Sequence, residues 1–280
     1  MYSFRNDYSV LAHRNILDLM MKVSDEQNIG YGLDAHSERA KELIKKQIGS
    51  DLDLDIHFLI GGTSCNKIII SHVLKPYEAV IAVNSGHINV HETGAIEAGG
   101  HKIITTKGVD GKVNLDEIRK VCKDHCDEHM VVPKMVYISN STELGTIYTL
   151  GELKALHDLC KELDLYLFLD GARLGVALTA AGNDLSLRKI AEMVDVFYIG
   201  GTKNGALLGE AVVIVNPDLR ENFRHSIKQN AGMLAKGFAI GLQFEALFEN
   251  NLYFDLALHA NKMAKKLKDG DEVNEERFRY

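Results

Sequence analysis

Tyr166-Leu-Phe-Leu-Asp170-Gly-Ala-Arg173-Leu-Gly175 is a short apolar run that stops abruptly at an acid, two small residues and an arginine. A continuous apolar run of this length, bounded by a turn, reads as a strand buried on both faces. The carboxyl end of such a strand is where open α/β sheets hold their ligands. Taken alone, Asp170 is equally well an ordinary helix cap, with Arg173 on a solvated face.

The same grammar recurs on either side. Val196-Phe-Tyr-Ile-Gly-Gly-Thr-Lys203-Asn-Gly205 runs a strand into a glycine turn that permits close approach of a ligand and carries a lysine just past the strand end. It lacks the G-x-x-x-x-G-K-[ST] spacing of a nucleotide P-loop. Phe58-Leu-Ile-Gly61-Gly62-Thr63-Ser64-Cys65-Asn66 is a strand, a small-residue turn and a helix start, whose free N–H groups and hydroxyls suit a phosphate. Asn84-Ser-Gly-His87-Ile-Asn-Val-His91-Glu92 follows a fourth strand and places a histidine at the same edge.

Across the chain, strand-like runs at 56–60, 79–83, 102–105, 135–138, 166–169, 196–199 and 211–215 alternate with helical patterns at 37–48, 66–74, 115–123 and 150–163. This alternation predicts an α/β fold, a mostly parallel sheet flanked by helices. Beyond Pro217 the pattern turns helical, over a long segment at 217–250 and a second at 253–267, and residues 269–280 lose apolar periodicity and are expected to fray. The expected organisation is an N-terminal segment (1–30), a large domain (31–220) and a helical C-terminal region (221–280).

The bulk numbers narrow the function classes. The 280 residues are 46% hydrophobic and 25% charged, with a net charge of −7, which disfavours a nucleic-acid or anionic-membrane surface. No apolar run approaches a spanning helix and no basic-then-apolar leader opens the chain, so no membrane partner is expected. Four cysteines in a chain of this length fit a reducing cytoplasm better than a disulfide framework.

In order along the chain, the four stretches resemble the threonine aldolase branch of the β-eliminating lyases, which are fold-type I pyridoxal-phosphate enzymes of aspartate-aminotransferase-like architecture. The resemblance rests on Gly61-Gly-Thr63, Gly-His87-Ile-x-x-x-Glu92, Asp170-Gly-Ala-Arg173-Leu and the Lys203 turn, and runs from about Phe4 to Leu267. It implies that Lys203 holds pyridoxal phosphate as a Schiff base while Asp170 pairs with the pyridine nitrogen. By the same resemblance, His87 stacks on the cofactor and serves in proton transfer, and Gly62, Thr63 and Ser64 take the phosphate. Arg173 lies at both cofactor and substrate, and binds the substrate carboxylate together with Asn6. The implied reaction is cleavage of a β-hydroxy-α-amino acid, such as threonine or allo-threonine, to glycine and an aldehyde. The alternatives are β-elimination, transamination, or a non-catalytic cofactor-binding relative. A homodimer or homotetramer with shared active sites is implied as well.

The chain departs from the family at several points. Thr142 stands where many relatives carry a histidine that touches the substrate hydroxyl, and Asn6 where a serine is expected. Leu234 stands where many relatives use an arginine across a subunit interface, with Lys228 and Lys236 nearby. Family members usually continue for a further half domain bearing a second carboxylate-binding arginine. This chain stops at Tyr280, so a shortened C-terminal small domain is expected, with Arg277 and Arg279 in a polar tail as poor substitutes. Cys122, His125, Cys126 and His129 share one stripe if the helix continues through them. Zinc sites usually draw ligands from two separated elements, however, and the cluster reads as a polar helix end with no metal.

Overall fold

The computed structural model describes residues 4–270 in full and the backbone of 271–272. A single seven-stranded sheet organises it. The strands are β1 (Asp55–Leu59), β2 (Glu78–Val83), β3 (Lys102–Thr106), β4 (Val132–Ser139), β5 (Tyr166–Asp170), β6 (Val196–Gly200) and β7 (Glu210–Ile214), in the order β1-β7-β6-β5-β4-β2-β3. Every run read as a strand is one, to within a residue or two except at β4, which begins three residues earlier. Only β7 runs against its neighbours, pairing antiparallel with both β1 and β6. The carboxyl ends of six strands and the start of β7 therefore meet at one edge.

Alternation along the strands sorts the core into two layers. Val136, Ile138, Leu167, Leu169, Phe197 and Ile199 face one side, under the helices Ala35–Ile48, Leu150–Glu162 and Phe238–Phe248. Met135, Tyr137, Phe168, Val196, Tyr198 and Val212 face the other, under the helices Gly62–Val73 and Phe223–Gln229. Period-two geometry carries that second face on to Ser139, Asp170 and Glu210 at the strand ends. The polar residues of the edge are thus continuations of apolar rows.

The helix Leu150–Glu162 begins with a full capping box, the Thr149 side chain accepting from Glu152 N–H and the Glu152 carboxylate from Thr149 N–H. By contrast, the apolar segment 217–250 is not one helix. It is broken into Pro217–Leu219, Phe223–Gln229 and Phe238–Phe248, with Ala231 in the left-handed region (φ 58°) and Gly237 pressed against the backbone of Tyr31 and Gly32. The break lets Phe238–Phe248 pack across Ala35–Ile48. The last helix, Leu252–Glu272, runs into the segment expected to fray, and residues 273–280, with Arg277 and Arg279, lie outside the described residues. Near the cysteine–histidine cluster the helix Leu115–Asp124 ends early, and His125 turns its Nδ1 back onto the Val121 carbonyl oxygen (2.8 Å).

Candidate active site

Gly171 and Gly200 decide how β5 and β6 end. A Cβ on Gly171 would sit 1.8 Å from the Tyr198 carbonyl oxygen, and one on Gly200 would sit 2.4 Å from that of Ala172. The two strand ends abut through the Gly200 N–H bond to the Gly171 carbonyl (2.9 Å). Only glycine allows this approach. It brings Asp170 and the turn carrying Lys203 to one floor.

Asp170 is 4% exposed, yet four donors converge on its two oxygens. The Tyr198 hydroxyl (2.5 Å) and Ala172 N–H (3.0 Å) reach Oδ1, while the Tyr137 hydroxyl (2.6 Å) and Asn66 Nδ2 (3.1 Å) reach Oδ2. Tyr137, Asp170 and Tyr198 share one sheet face, and Asn66 descends from the helix covering it. Burial, together with the Asp170 charge, pushes both phenols well above their usual range, so they act as donors. Asn66 Nδ2 also donates to Glu92 Oε1 (2.7 Å), which accepts in turn from His87 Nδ1 (2.7 Å). The hydrogen bond to Glu92 raises the pKa of His87.

Lys203 faces the same cleft, and among the described residues its Nζ has no hydrogen-bond or ion-pair partner. The turn beneath it is held firmly. Asn204 Nδ2 donates to the Tyr253 carbonyl (2.8 Å), and the buried Gln243 Oε1 accepts from Leu207 N–H (2.6 Å) and Leu208 N–H (3.2 Å). Across the cleft, the helix Gly62–Val73 starts at Gly61 with no side-chain cap, so its first N–H groups are left without acceptors among the described residues. Gly62, Thr63, His87, Asp170, Arg173 and Lys203 all line one cleft of about 290 Å³. Ser64 sits one residue further into the helix, outside that lining.

The predicted residue Asn6, and Thr142 at the position of the family histidine, stand differently. Asn6 turns its Oδ1 onto Tyr8 N–H (3.0 Å) and the Ser9 hydroxyl (2.7 Å), and the neighbouring Asp7 takes the Arg173 guanidinium through Nε (2.6 Å) and Nη2 (3.1 Å). Thr142 is also turned away, bonded to the Thr146 hydroxyl (2.7 Å). The residue beside it, Glu143, lines the cleft instead. Glu210, also in the lining, is 3% exposed and accepts from Gly201 N–H (3.2 Å), and burial pushes its carboxyl up to about 8. Sequence reading missed Glu143, Glu210, Tyr137 and Tyr198 as site residues. The alternation of β4 and β6 into the Asp170 register was the signal available for the tyrosines.

The arrangement suits a planar, anionic cofactor with a carbonyl. It offers an unpaired amine, a carboxylate wrapped in donors, a histidine on the wall and an uncapped helix start for an anion. The family model of the beta-eliminating lyases matches residues 4–276. A low specificity L-threonine aldolase of Pseudomonas sp. (strain NCIMB 10558) is 32% identical over 250 residues, covering 89% of this chain and 72% of that protein. The low specificity L-threonine aldolase of Pseudomonas aeruginosa is 31% identical over 241 residues, covering 85% and 69%. Among solved structures, a Leishmania major threonine aldolase superposes with a TM-score of 0.95 at 51% identity, over 98% of this chain and 80% of that one. A Thermus thermophilus aspartate aminotransferase, at 13% identity and a TM-score of 0.74, shares the fold.

Proposed function

This chain belongs to the beta-eliminating lyase family, and on that premise we propose that it cleaves β-hydroxy-α-amino acids such as threonine to glycine and an aldehyde. The observation that carries the reading is the unpaired Lys203 amine in a cleft floored by the four-donor Asp170. The residues fit pyridoxal phosphate. Lys203 Nζ would hold it covalently, Asp170 would pair with its ring nitrogen, and His87 would flank the ring. The uncapped start of Gly62–Val73, with Thr63 and Ser64, would take its phosphate. When bound, this cofactor supplies an electron sink for the pair released as Cα–Cβ breaks.

The chain's own residues do the rest. Tyr137, Tyr198, Asn66 and Ala172 hold Asp170 in place through hydrogen bonds to both of its oxygens. Arg173 supplies a planar fork for the substrate carboxylate, and Asp7 holds that fork by two of its nitrogens. Glu92 fixes the His87 ring through Nδ1, leaving Nε2 for the cleft. Asn6 belongs to the same N-terminal segment as Asp7, and its place in carboxylate binding would require that segment to move. Action in a reducing cytoplasm and assembly into a homodimer or homotetramer are part of the same reading. Among the described residues, no helix is long and apolar enough to cross a membrane.

The test is to load the chain with pyridoxal phosphate and record its visible absorbance beside Lys203→Ala, then add threonine, allo-threonine and serine. A band lost in the variant, with glycine and aldehyde as products, is expected. Keto acid and ammonia would instead indicate elimination, and no band in the wild-type protein would remove the cofactor reading altogether.

A further inference from the structure

Three carboxyl groups line the cleft, and they differ in what they leave for a substrate. Asp170 is committed to four donors. Glu210 is buried behind the lysine turn and bonded to Gly201 N–H. Glu143 is only partly buried; its Oε1 accepts from His87 N–H (2.9 Å) and the Ser139 hydroxyl (2.6 Å), and among the described residues its Oε2 has no partner.

The surroundings of Glu143 also accommodate both of its protonation states. The Ser139 hydroxyl lies within reach of Glu143 Oε1 (2.6 Å) and of the Tyr137 oxygen (3.3 Å), but it has a single proton to give. With Glu143 ionised, that proton points to Glu143. With the proton on Glu143 Oε2, Oε1 still accepts from His87 N–H and from the Ser139 hydroxyl. His87 N–H and the Ser139 hydroxyl therefore keep their acceptor in either arrangement.

We propose that Glu143 is the catalytic base that accepts the proton of the substrate β-hydroxyl. This rests on the aldol-cleavage reading given above. In the step, the β-hydroxyl O–H breaks and its proton goes to Glu143 Oε2. The O–H pair becomes the second bond of the aldehyde carbonyl, and the Cα–Cβ pair stays with the glycine fragment. One proton then reaches Cα and Glu143 gives its own back, so the net change moves one proton from oxygen to carbon. No oxidant or reductant is consumed.

The isosteric variant Glu143→Gln tests this, because its amide oxygen can still accept from His87 N–H and Ser139 while the side chain can no longer take a proton. On the cofactor-loaded enzyme, kcat for aldehyde release from threonine is expected to fall roughly 100-fold or more. The Kd for glycine, which has no β-hydroxyl, should stay within about twofold by calorimetry. Wild-type cleavage together with an unimpaired Glu143→Gln would overturn the proposal and leave the aldol reading standing. Loss of glycine binding in step with kcat would overturn it too, making Glu143 a support for His87. If the wild-type protein binds glycine but releases no aldehyde from any β-hydroxy amino acid, the aldol reading falls and the proposal with it.

Discussion

Glu210 is a carboxyl with no cation bonded to it among the described residues, and burial raises its pKa from 4.5 to about 8. Asp170 adds to that rise, while Thr202, Gly201 N–H and Lys203 oppose it. Because the folded value lies above the unfolded one, the folded state holds the proton more tightly. Its contribution is complete below pH 4.5 and is lost as pH rises towards about 8, at no more than about 1.4 kcal/mol per pH unit. Glu210→Gln should therefore flatten the fall in Tm of the cofactor-free chain between pH 5 and pH 8. Parallel melting curves for both proteins would refute this. His87 contributes in the same direction, since its pKa is raised by Glu92 and its share is lost as pH climbs through the folded value. NMR titration of Glu92→Gln should bring His87 back down towards 6.5, and an unmoved His87 would show that Glu92 is not the cause. Legibility at this scale followed contrast. Asp170 and Lys203 interrupt apolar runs and stand out, whereas Tyr137 and Tyr198 sit inside such runs and read as core. Glu210 precedes the apolar run that marks β7 and passes for its boundary.

At the scale of elements, buried parallel strands leave uninterrupted apolar runs, and so all seven could be read in place. The direction of β7 could not, because a strand buried on both faces looks the same whichever way it runs. That reversal is what brings Glu210 to the catalytic edge. The break in 217–250 was hidden for a related reason. Its apolar residues continue through the break, and the stop comes from packing at Gly237 and the left-handed Ala231, contacts made far along the chain. The helix that results, Phe238–Phe248, reaches the lysine turn through Gln243. Gln243→Leu would leave the N–H groups of Leu207 and Leu208 without their acceptor inside the protein. The expected cost is roughly 1–3 kcal/mol of stability by urea unfolding. A weaker hold on pyridoxal phosphate should accompany it, because the turn carries Lys203. A variant as stable as the parent would show that water replaces the amide there.

Over the whole molecule, an apolar N-terminal segment lies exposed beside the cleft. Val10 is 85% exposed, Leu11 65% and Tyr8 58%, within four residues of one another. Tyr8 lines the cleft, and all three line an adjoining hollow that reaches Lys203 and Leu256. Single exposed apolar residues are ordinary, but a cluster at the mouth of a site is characteristic of a surface that another chain covers. Covering it with a second copy would shield the lysine side of the cleft from water and fix Asp7, which holds Arg173. The homo-oligomer reading therefore predicts a particular coupling. Val10→Asp places a charge in the apolar surface while leaving Asp170, Lys203 and Glu143 themselves unsubstituted. In sedimentation velocity at micromolar concentration, the wild-type chain should run as a dimer or larger and Val10→Asp should shift towards monomer. Aldehyde release should fall with it and recover as protein concentration is raised, because association is a mass-action process. A wild-type monomer, or a variant that dissociates with its specific activity intact at every concentration, would show that each chain completes its own site.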